Sequence, residues 1–299
     1  MKVVFFCGGL GTRMLEYSRT IPKPMVPIGY RPVLWHLMKY YAHYGHTEFI
    51  LCLGSRGDVV KDYFLKYDEC VSNDFTLSGG GDIQLHATDI HDWSITFVET
   101  GLHANIGQRL CTVREHLDGE EMFLANYADV LSDLPLDGYL DFFAKQDRIA
   151  SFACVKPSHT FHVVDIGSEG AVSSIQPARS QDLWINGGFF ALRPQVFDHM
   201  GPESDLIDGA FQDLLWRNQV LAYRHRGFWA AMDTFKEHQQ LETMWETGER
   251  PWAVWENGKA GFPSPSAAAA VVAPPPEIDR RRGLKVIPSA GRSVAERTG

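Results

Sequence analysis

The N-terminal stretch FFCGGLGTRMLEYSRTIPKPMVPIG combines glycines with two basic side chains at short spacing. Gly8, Gly9 and Gly11 carry no side chains, so their backbone N–H groups can approach a polyphosphate closely. Arg13 contributes a planar, permanently charged guanidinium that suits phosphate oxygens. Lys23 stands between two prolines that restrain its backbone, which adds a second cation. Backbone donors and two cations together suit a nucleoside triphosphate.

Two common phosphate-binding motifs explain this stretch poorly. The dinucleotide motif requires a glycine where Met14 stands, and the P-loop requires a Gly-Lys-Ser/Thr sequence that is missing. The chemistry must therefore be argued from the residues that are present.

The elements that would position these residues alternate along the chain. Lys2 to Cys7 is a short apolar run typical of a buried parallel strand, Pro32 begins a predicted helix that ends at Gly45, and Glu48 to Leu53 is the next strand. This alternation predicts an α/β fold with a Rossmann-like, mixed but mostly parallel sheet flanked by helices. The glycines then follow the carboxyl end of the first strand, where open α/β sheets bind ligands.

Later segments predict additional β-structure and one more helix. Between Asp68 and Gly101, SGGGD is followed by two alternating runs, IQLHATDI and WSITFVET, which predict a β excursion. The run FHVVDIGSEGAVSSIQP predicts a hairpin that turns at Glu169-Gly170, WINGGFFALRP predicts a strand, and a last helix is expected from Thr234. We expect one domain over residues 1–262 and a disordered tail, rich in Ala, Pro and Arg, over residues 263–299.

The composition excludes several classes of function. The formal net charge of −9 disfavours general binding to nucleic acid or to anionic membranes. The five cysteines form no C-x-x-C pair, which disfavours a disulfide framework or a zinc site. No secretory signal and no apolar stretch of the roughly 20 residues of a membrane span is visible. A cytoplasmic protein is expected.

Several motifs resemble those of the sugar nucleotidyltransferase family. GGLGTRM, PKPM and RPVLWHLMKYY are followed by VETG, RLCTVREHL, NGGFFAL and YRHRGFWAAMDT, so the resemblance covers about residues 1 to 250. The last three motifs, in this order, look most like the glucose-1-phosphate cytidylyltransferases. The resemblance implies a nucleotidyltransferase domain that transfers a nucleoside monophosphate, with CTP as the favoured donor, to a sugar 1-phosphate or a sugar-like phosphate. It also implies release of pyrophosphate, dependence on Mg²⁺, and a homo-oligomer.

The resemblance assigns roles to individual residues. It gives a catalytic role to four of them, Arg13, Lys23, Asp129 and Asp233, with Asp129 and Asp233 also holding the metal. It implies that the nucleotide is bound by Gly8, Gly9, Gly11, Thr12, Arg13 and Arg109. It implies that the sugar is bound by Asn186 and Gly187, with Glu99 expected nearby, and Arg179 added as a substitute cation.

Each assignment has a simpler structural alternative. Asp233 could serve as a cap for the helix that begins near Thr234 and have no role in catalysis. Asp129 could likewise do no more than end a strand in a turn. The sequence Asn186-Gly187-Gly188 could form a bulge in a strand without binding a sugar. Arg13 and Lys23, taken singly, could be solvated surface charges.

The sugar half departs from the family pattern. The family has Gly-Asp at the first metal position, where this chain has Ala128-Asp129, and it has Glu-Lys-Pro upstream of WINGG, where this chain has IQP. Arg179 is the cation expected to replace the missing lysine. The family also has a glycine where His162 follows Phe161. We infer either an acceptor other than glucose 1-phosphate or, as the alternative, a catalytically silent homologue that binds nucleotide sugars and acts in regulation.

Overall fold

The computed structural model describes residues 1–9, 21–157, 162–201, 203–256 and 285–286. The predicted site residues Gly11, Thr12 and Arg13 lie outside the described residues, as does the side chain of Arg179. Most of the predicted tail also lies outside them, so its disorder stays a prediction.

An eight-stranded mixed sheet forms the centre of the fold. Its strands, in chain order, are β1 (Val3–Phe6), β4 (Glu48–Leu53), β7 (Ser94–Glu99), β8 (Phe123–Tyr127), β10 (Ala150–Val155), β13 (Ile185–Asn186), β14 (Phe190–Leu192) and β15 (Val220–Arg224). Their spatial order is β13-β10-β14-β8-β1-β4-β7, with β15 paired to β10. The pairs of β1 with β4 and β8, of β4 with β7 and of β10 with β15 are parallel, whereas β13 and β14 are antiparallel to their neighbours. The predicted α/β fold is confirmed.

Helices and short 3₁₀ turns connect these strands. The α-helices are α1 (Val33–His43), α2 (Gly57–Leu65), α3 (Ile106–Thr112), α4 (Leu136–Ala144), α5 (Phe211–Trp216) and α6 (Phe235–Thr247). The 3₁₀ turns are Lys23–Met25, Glu69–Val71, Arg114–Leu117, Ala178–Ser180, Pro194–His199 and Val254–Glu256, and Leu206–Ala210 is a π-helix. Within the described residues no helix is long and apolar enough to cross a membrane.

Two core clusters cover the two faces of the sheet. In β1, Val3 and Phe5 belong to the larger cluster, which includes α1 side chains, whereas Val4 and Phe6 belong to the cluster that includes α3 and α5 side chains. A strand covered on both faces must be apolar at every position, which explains the continuous apolar run from which β1 was predicted.

Four small sheets lie beside the main one. They pair β2 (Pro27–Ile28) with β3 (Arg31–Pro32), β5 (Phe75–Leu77) with β6 (Ile83–Leu85), β9 (Val130–Ser132) with β16 (Trp229–Ala231), and β11 (His162–Ile166) with β12 (Val172–Pro177). The predicted hairpin at Glu169-Gly170 is the β11–β12 pair. A last strand, β17 (Lys285–Val286), pairs in parallel with β6.

Two predictions of β-structure were wrong in detail. WSITFVET does not belong to the excursion, because β7 pairs along its whole length with β4 as the edge strand of the main sheet. WINGGFFALRP is not one regular strand: β13 and β14 both pair with β10, and between them Gly187 and Gly188 still bond to Ala153, but the register shifts there. The excursion proper is the short β5–β6 hairpin.

His36 in α1 is buried in an aromatic environment. Its Nε2 donates to the carbonyl of Ile28 at 2.9 Å, and its Nδ1 has no hydrogen-bond partner among the described residues. The rings of Trp35, Trp245 and Trp252 contact it edge-on. Burial lowers the pKa of His36 to about 4, so this ring is neutral in the fold.

Lowering the pH should destabilise the fold through His36. The unfolded chain binds the proton with a pKa of about 6.5, whereas the folded chain binds it at about 4, so acid favours the unfolded state between these values. His36 alone should lower the free energy of unfolding by about 3 kcal/mol as the pH falls from about 6.5 to about 4. Urea unfolding across this range should show that His36→Gln loses less stability in acid than the wild type.

The matched control is His91→Gln, because His91 is exposed. This variant should keep the pH dependence of the wild type. Identical pH dependence for the wild type and His36→Gln would contradict the assignment to His36.

Candidate functional site

Lys23 bonds two carboxylates that come from distant parts of the chain. Its side chain projects from the 3₁₀ turn Lys23–Met25, whose start is fixed by Pro22 in an extended conformation. Its Nζ lies 2.5 Å from Oδ1 of Asp233 and also contacts Oδ2 of Asp129. All three side chains are partly exposed, so a ligand can reach the group that we call the Lys23 site.

A backbone ladder holds the two aspartates side by side. Asp129 directly precedes β9, and Asp233 follows β16 after one residue. The two strands are antiparallel with Ala231 opposite Val130, and the next backbone bond joins the Met232 N–H to the Asp129 carbonyl at 2.9 Å. The spacing of the aspartates is therefore set by main-chain pairing.

Helix capping does not account for Asp233. The N-cap of α6 is Thr234, whose hydroxyl accepts from the Glu237 N–H in a capping box. The Glu237 carboxylate accepts from the backbone N–H groups of Asp233 and Thr234, both at 2.8 Å. These bonds leave the Asp233 carboxylate to contact Lys23.

The charges of the Lys23 site influence one another. Burial lowers the pKa of Lys23, but the carboxylates of Asp129 and Asp233 outweigh burial and raise it, so the amine stays protonated. Burial raises the pKa of Asp129, and the neighbouring Asp233 adds to this against the opposing charge of Lys23. A cation is thus needed to hold both carboxylates ionised at one place.

The donor set of the Lys23 site fits Mg²⁺. Mg²⁺ prefers oxygen ligands and is commonly held by one or two carboxylates together with water and substrate phosphates. Asp129 and Asp233 already turn their carboxylates toward one cation, the Lys23 ammonium. No cluster of three or more potential metal ligands occurs in the part of the chain that the structure describes. Water and phosphate would therefore have to complete the coordination.

The beginning of the glycine loop is packed against Arg109. This guanidinium is buried and donates from Nη1 to the Leu53 carbonyl at 3.1 Å and to the Thr100 hydroxyl at 2.6 Å. A Cβ on Gly8 would lie 2.1 Å from Nη1, whereas a Cβ on Gly9 would meet no described atom within 4 Å. Arg109 supports the loop from beneath, and its predicted contact with the nucleotide stays a prediction.

The predicted sugar-binding residues lie where β13 ends. The Asn186 side chain donates to the Tyr127 hydroxyl at 3.2 Å and accepts from the Gly188 N–H at 2.9 Å. The Gly187 carbonyl accepts from the indole of Trp229, which belongs to the same strand that precedes Asp233. The bulge predicted as the simpler alternative is therefore present, and it connects to the Lys23 site.

Buried Asn126 holds this bulge in place. Its Oδ1 accepts from the N–H of Phe189 at 2.9 Å, and its Nδ2 donates to the Tyr41 hydroxyl at 3.1 Å. Gly188 has a φ of +79°, and a Cβ there would lie 2.3 Å from Asn126 Oδ1. Glycine is required at this position by both conformation and space.

The expectation that Glu99 lies near Asn186 was wrong. Glu99 ends β7 at one edge of the main sheet, whereas Asn186 belongs to β13 near the other edge. The exposed Glu99 carboxylate pairs instead with Lys61 of α2 at 2.6 Å. The VETG motif gave no information on strand order, which depends on long-range pairing.

Two features of the sugar half were not foreseen. The methyl group of Ala128, where the family has glycine, is buried in the larger core cluster. Lys156, at the end of β10, donates to the Gln181 carbonyl at 2.7 Å and to Asp182 at 3.1 Å, in the segment after the IQP sequence. Sequence reasoning considered only Arg179 as a substitute cation and missed Lys156, whose position at the end of the apolar run ASFACV was the available signal.

Comparison with known proteins identifies the family of this chain. A sequence profile described as Nucleotidyl transferase matches residues 2–236. The chain belongs to the nucleotidyl transferase family.

Its relatives within this family include cytidylyltransferases. It is 37% identical over 258 residues to the Bacillus subtilis (strain 168) protein named "Probable glucose-1-phosphate cytidylyltransferase", which covers 85% of this chain and 100% of the relative. It is 36% identical over 258 residues to the glucose-1-phosphate cytidylyltransferase of Salmonella typhimurium, which covers 86% of this chain and 100% of the relative. The resemblance inferred from the motifs is confirmed.

The fold is shared with more distant proteins of solved structure. A crystal structure of UDP-glucose pyrophosphorylase complexed with UDP-glucose superposes with a TM-score of 0.60 at 17% identity, covering 83% of this chain and 98% of that chain. At this identity the likeness concerns the fold.

Replacing Gly8 by alanine should destabilise the protein. The added Cβ would lie 2.1 Å from Arg109 Nη1, so the guanidinium must move and weaken its bonds to Leu53 and Thr100. We expect Gly8→Ala to lower the free energy of unfolding by about 1 to 3 kcal/mol, measured by urea unfolding.

Gly9→Ala is the matched control, because its Cβ meets no described atom within 4 Å. It should change stability by less than about 0.5 kcal/mol. Equal effects of the two substitutions would show that Arg109 is not what restricts Gly8.

Proposed function

We propose that this chain transfers a nucleoside monophosphate from CTP to a sugar 1-phosphate, or to a sugar-like phosphate, and releases pyrophosphate in a Mg²⁺-dependent reaction. The convergence of Lys23, Asp129 and Asp233 at the carboxyl end of the sheet carries the proposal. The choice of CTP is supported by the 36% identity to the Salmonella typhimurium glucose-1-phosphate cytidylyltransferase.

The residues of the Lys23 site suit attack on a phosphorus atom. The acceptor phosphate oxygen would attack the α-phosphorus in line, which places negative charge on the entering group and on the departing pyrophosphate. Lys23, kept charged by its two carboxylate partners, would neutralise part of that charge. Asp129 and Asp233 would hold Mg²⁺, which would supply positive charge to stabilise the negative charge that develops on the phosphates.

The remaining predicted residues would bind and orient the two substrates. Gly8 and Gly9 begin the glycine loop after β1, and their backbone N–H groups would donate to the phosphates of the nucleotide. Gly11, Thr12 and Arg13 follow them in the sequence and would bind the same nucleotide. The bulge at Asn186 and Gly187 would present amide and backbone groups to sugar hydroxyls. We extend the proposal to a cytoplasmic homo-oligomer, as expected from the sequence.

The test is pyrophosphate release by the full chain with Mg²⁺ and each of CTP, UTP, ATP, GTP and dTTP. Glucose 1-phosphate and a panel of sugar and cyclitol phosphates serve as acceptors. We expect release with CTP and at least one acceptor, and no release when EDTA removes the metal. Nucleotide binding without release from any acceptor would favour the catalytically silent homologue and contradict the proposal.

Neutralising either aspartate should abolish most of the activity. Asp129→Asn and Asp233→Asn each remove one of the two carboxylates while keeping the side-chain shape. We expect kcat/KM to fall at least about 100-fold for each variant, as is typical for lost charge stabilisation in an active site.

Asp62→Asn is the matched control, because Asp62 pairs with Lys66 on the exposed surface of α2. It should stay within about 2-fold of the wild type, as expected for a surface ion pair. Wild-type activity in both Asp129→Asn and Asp233→Asn would place the chemistry elsewhere.

A further inference from the structure

Three basic side chains surround one tryptophan beyond the sugar-binding bulge. Lys156 Nζ lies 4.5 Å from the centre of the Trp184 ring, and the guanidinium carbons of Arg224 and Arg226 lie 5.3 Å and 5.2 Å from it. We call these four residues the Trp184 cluster. An aromatic face can hold a cation, but it does not neutralise its charge.

The Trp184 cluster faces the same side of the sheet as Asn186. Asn186 pairs with Cys154, which also pairs with Arg224 on the opposite neighbouring strand. Trp184 and Lys156 lie just outside β13 and β10, and the contacts of the Trp184 ring with Lys156 and with Arg224 bring both side chains beside Arg224. The cluster therefore continues the surface formed by Asn186.

The cluster lies farther from the Lys23 site than Asn186 does. Asp129 follows β8, Asn186 bonds to Tyr127 at the end of β8, and the cluster extends to β10 and β15 at the edge of the sheet. With about 4.8 Å between neighbouring strands, Arg224 lies about 10 Å beyond Asn186. An acceptor held at Asn186, with its reacting phosphate toward Asp129, would extend its other end toward Trp184.

The cluster carries an excess of positive charge. Asp182 is 3.1 Å from Lys156 and accepts from the Trp184 indole at 3.0 Å. Within the described residues, neither Arg224 nor Arg226 has a carboxylate within 4.0 Å, and both are exposed. Three cations against one carboxylate stand out in a chain with a net charge of −9. Such a local surplus is suited to an anionic ligand.

We propose that the Trp184 cluster binds an anionic substituent of the acceptor, a carboxylate or a second phosphate, at the end remote from the reacting phosphate. The proposal rests on the proposed function and specifies its acceptor class as sugars or cyclitols with two anionic groups. Arg224 and Arg226 would supply the charge, and Lys156 would divide its bonds between the ligand and Asp182. The departures from the family pattern occur in this same half of the site.

Three matched acceptors test the proposal. Glucose 1-phosphate, glucuronate 1-phosphate and glucose 1,6-bisphosphate share a ring and a reacting phosphate, and differ at carbon 6 in carrying a hydroxyl, a carboxylate or a phosphate. We expect at least one charged acceptor to exceed glucose 1-phosphate by about 10-fold or more in kcat/KM. The ratio between the two charged acceptors distinguishes a carboxylate ligand from a phosphate ligand.

Variants then assign the preference to the cluster. In the double variant Arg224→Gln/Arg226→Gln the ratio of kcat/KM for charged and uncharged acceptors should fall to within about 2-fold of one, because the two arginines without a carboxylate partner are removed and the remaining Lys156 is paired with Asp182. Arg217→Gln is the matched control, since Arg217 is an exposed arginine paired with Asp213 on α5 and should keep the wild-type ratio. Should the double variant fold poorly, Arg226→Gln alone, one residue beyond His225 and outside β15, should still halve the ratio or more.

Calorimetric binding separates this proposal from the proposed function. At least one of glucuronate 1-phosphate and glucose 1,6-bisphosphate should bind the full chain about 10-fold more tightly than glucose 1-phosphate, whether or not pyrophosphate is released. Absence of turnover with this difference retained would contradict only the proposed function. Equal binding of all three compounds, an unchanged ratio in the double variant, or an equal loss for all three acceptors would each overturn the proposal.

Discussion

The ion pairs of Lys23 with Asp129 and Asp233 are the interaction on which the arrangement of the site depends. Two partly buried carboxylates at close range repel each other, and the raised pKa of Asp129 reflects this and its burial. Lys23 offsets the repulsion from a 3₁₀ turn fixed by Pro22. The 3₁₀ turn Lys23–Met25, the strand pair β9–β16 and the start of α6 must therefore pack in one arrangement for the charges to balance.

Different parts of this site are held by main-chain hydrogen bonds and by side-chain contacts. Backbone pairing between β9 and β16 spaces the aspartates, and a capping box fixes the start of α6 just after Asp233. Side chains support the other parts: buried Arg109 lies beneath Gly8, and buried Asn126 holds the bulge that follows Asn186. The proposed reacting end thus depends on main-chain geometry, whereas the proposed ligand-binding ends depend on individual side chains.

Local pattern predicted those parts of the structure that local forces determine. β1 and β4 could be predicted because a strand buried on both faces must be apolar. α1 could be predicted because apolar residues at helical spacing begin directly after Pro32. The position of WSITFVET in the main sheet could not be predicted, because alternation indicates a strand but does not indicate that this strand pairs with β4. The convergence of Asp129 and Asp233 came only from the family resemblance. Lys156 and Trp184 were missed because their contact depends on the register of β10 with β13.

One hydrogen bond described above joins the two halves of the site. The Trp229 indole donates to the Gly187 carbonyl, and Trp229 lies on the strand that leads to Asp233. Strand β16 thus fixes the distance between Asp233, at the proposed reacting end, and Gly187, where a sugar ring would bind. Under the proposed function, acceptors would differ in the groups that project outward from the ring, while the ring itself would keep its distance from the bond that forms.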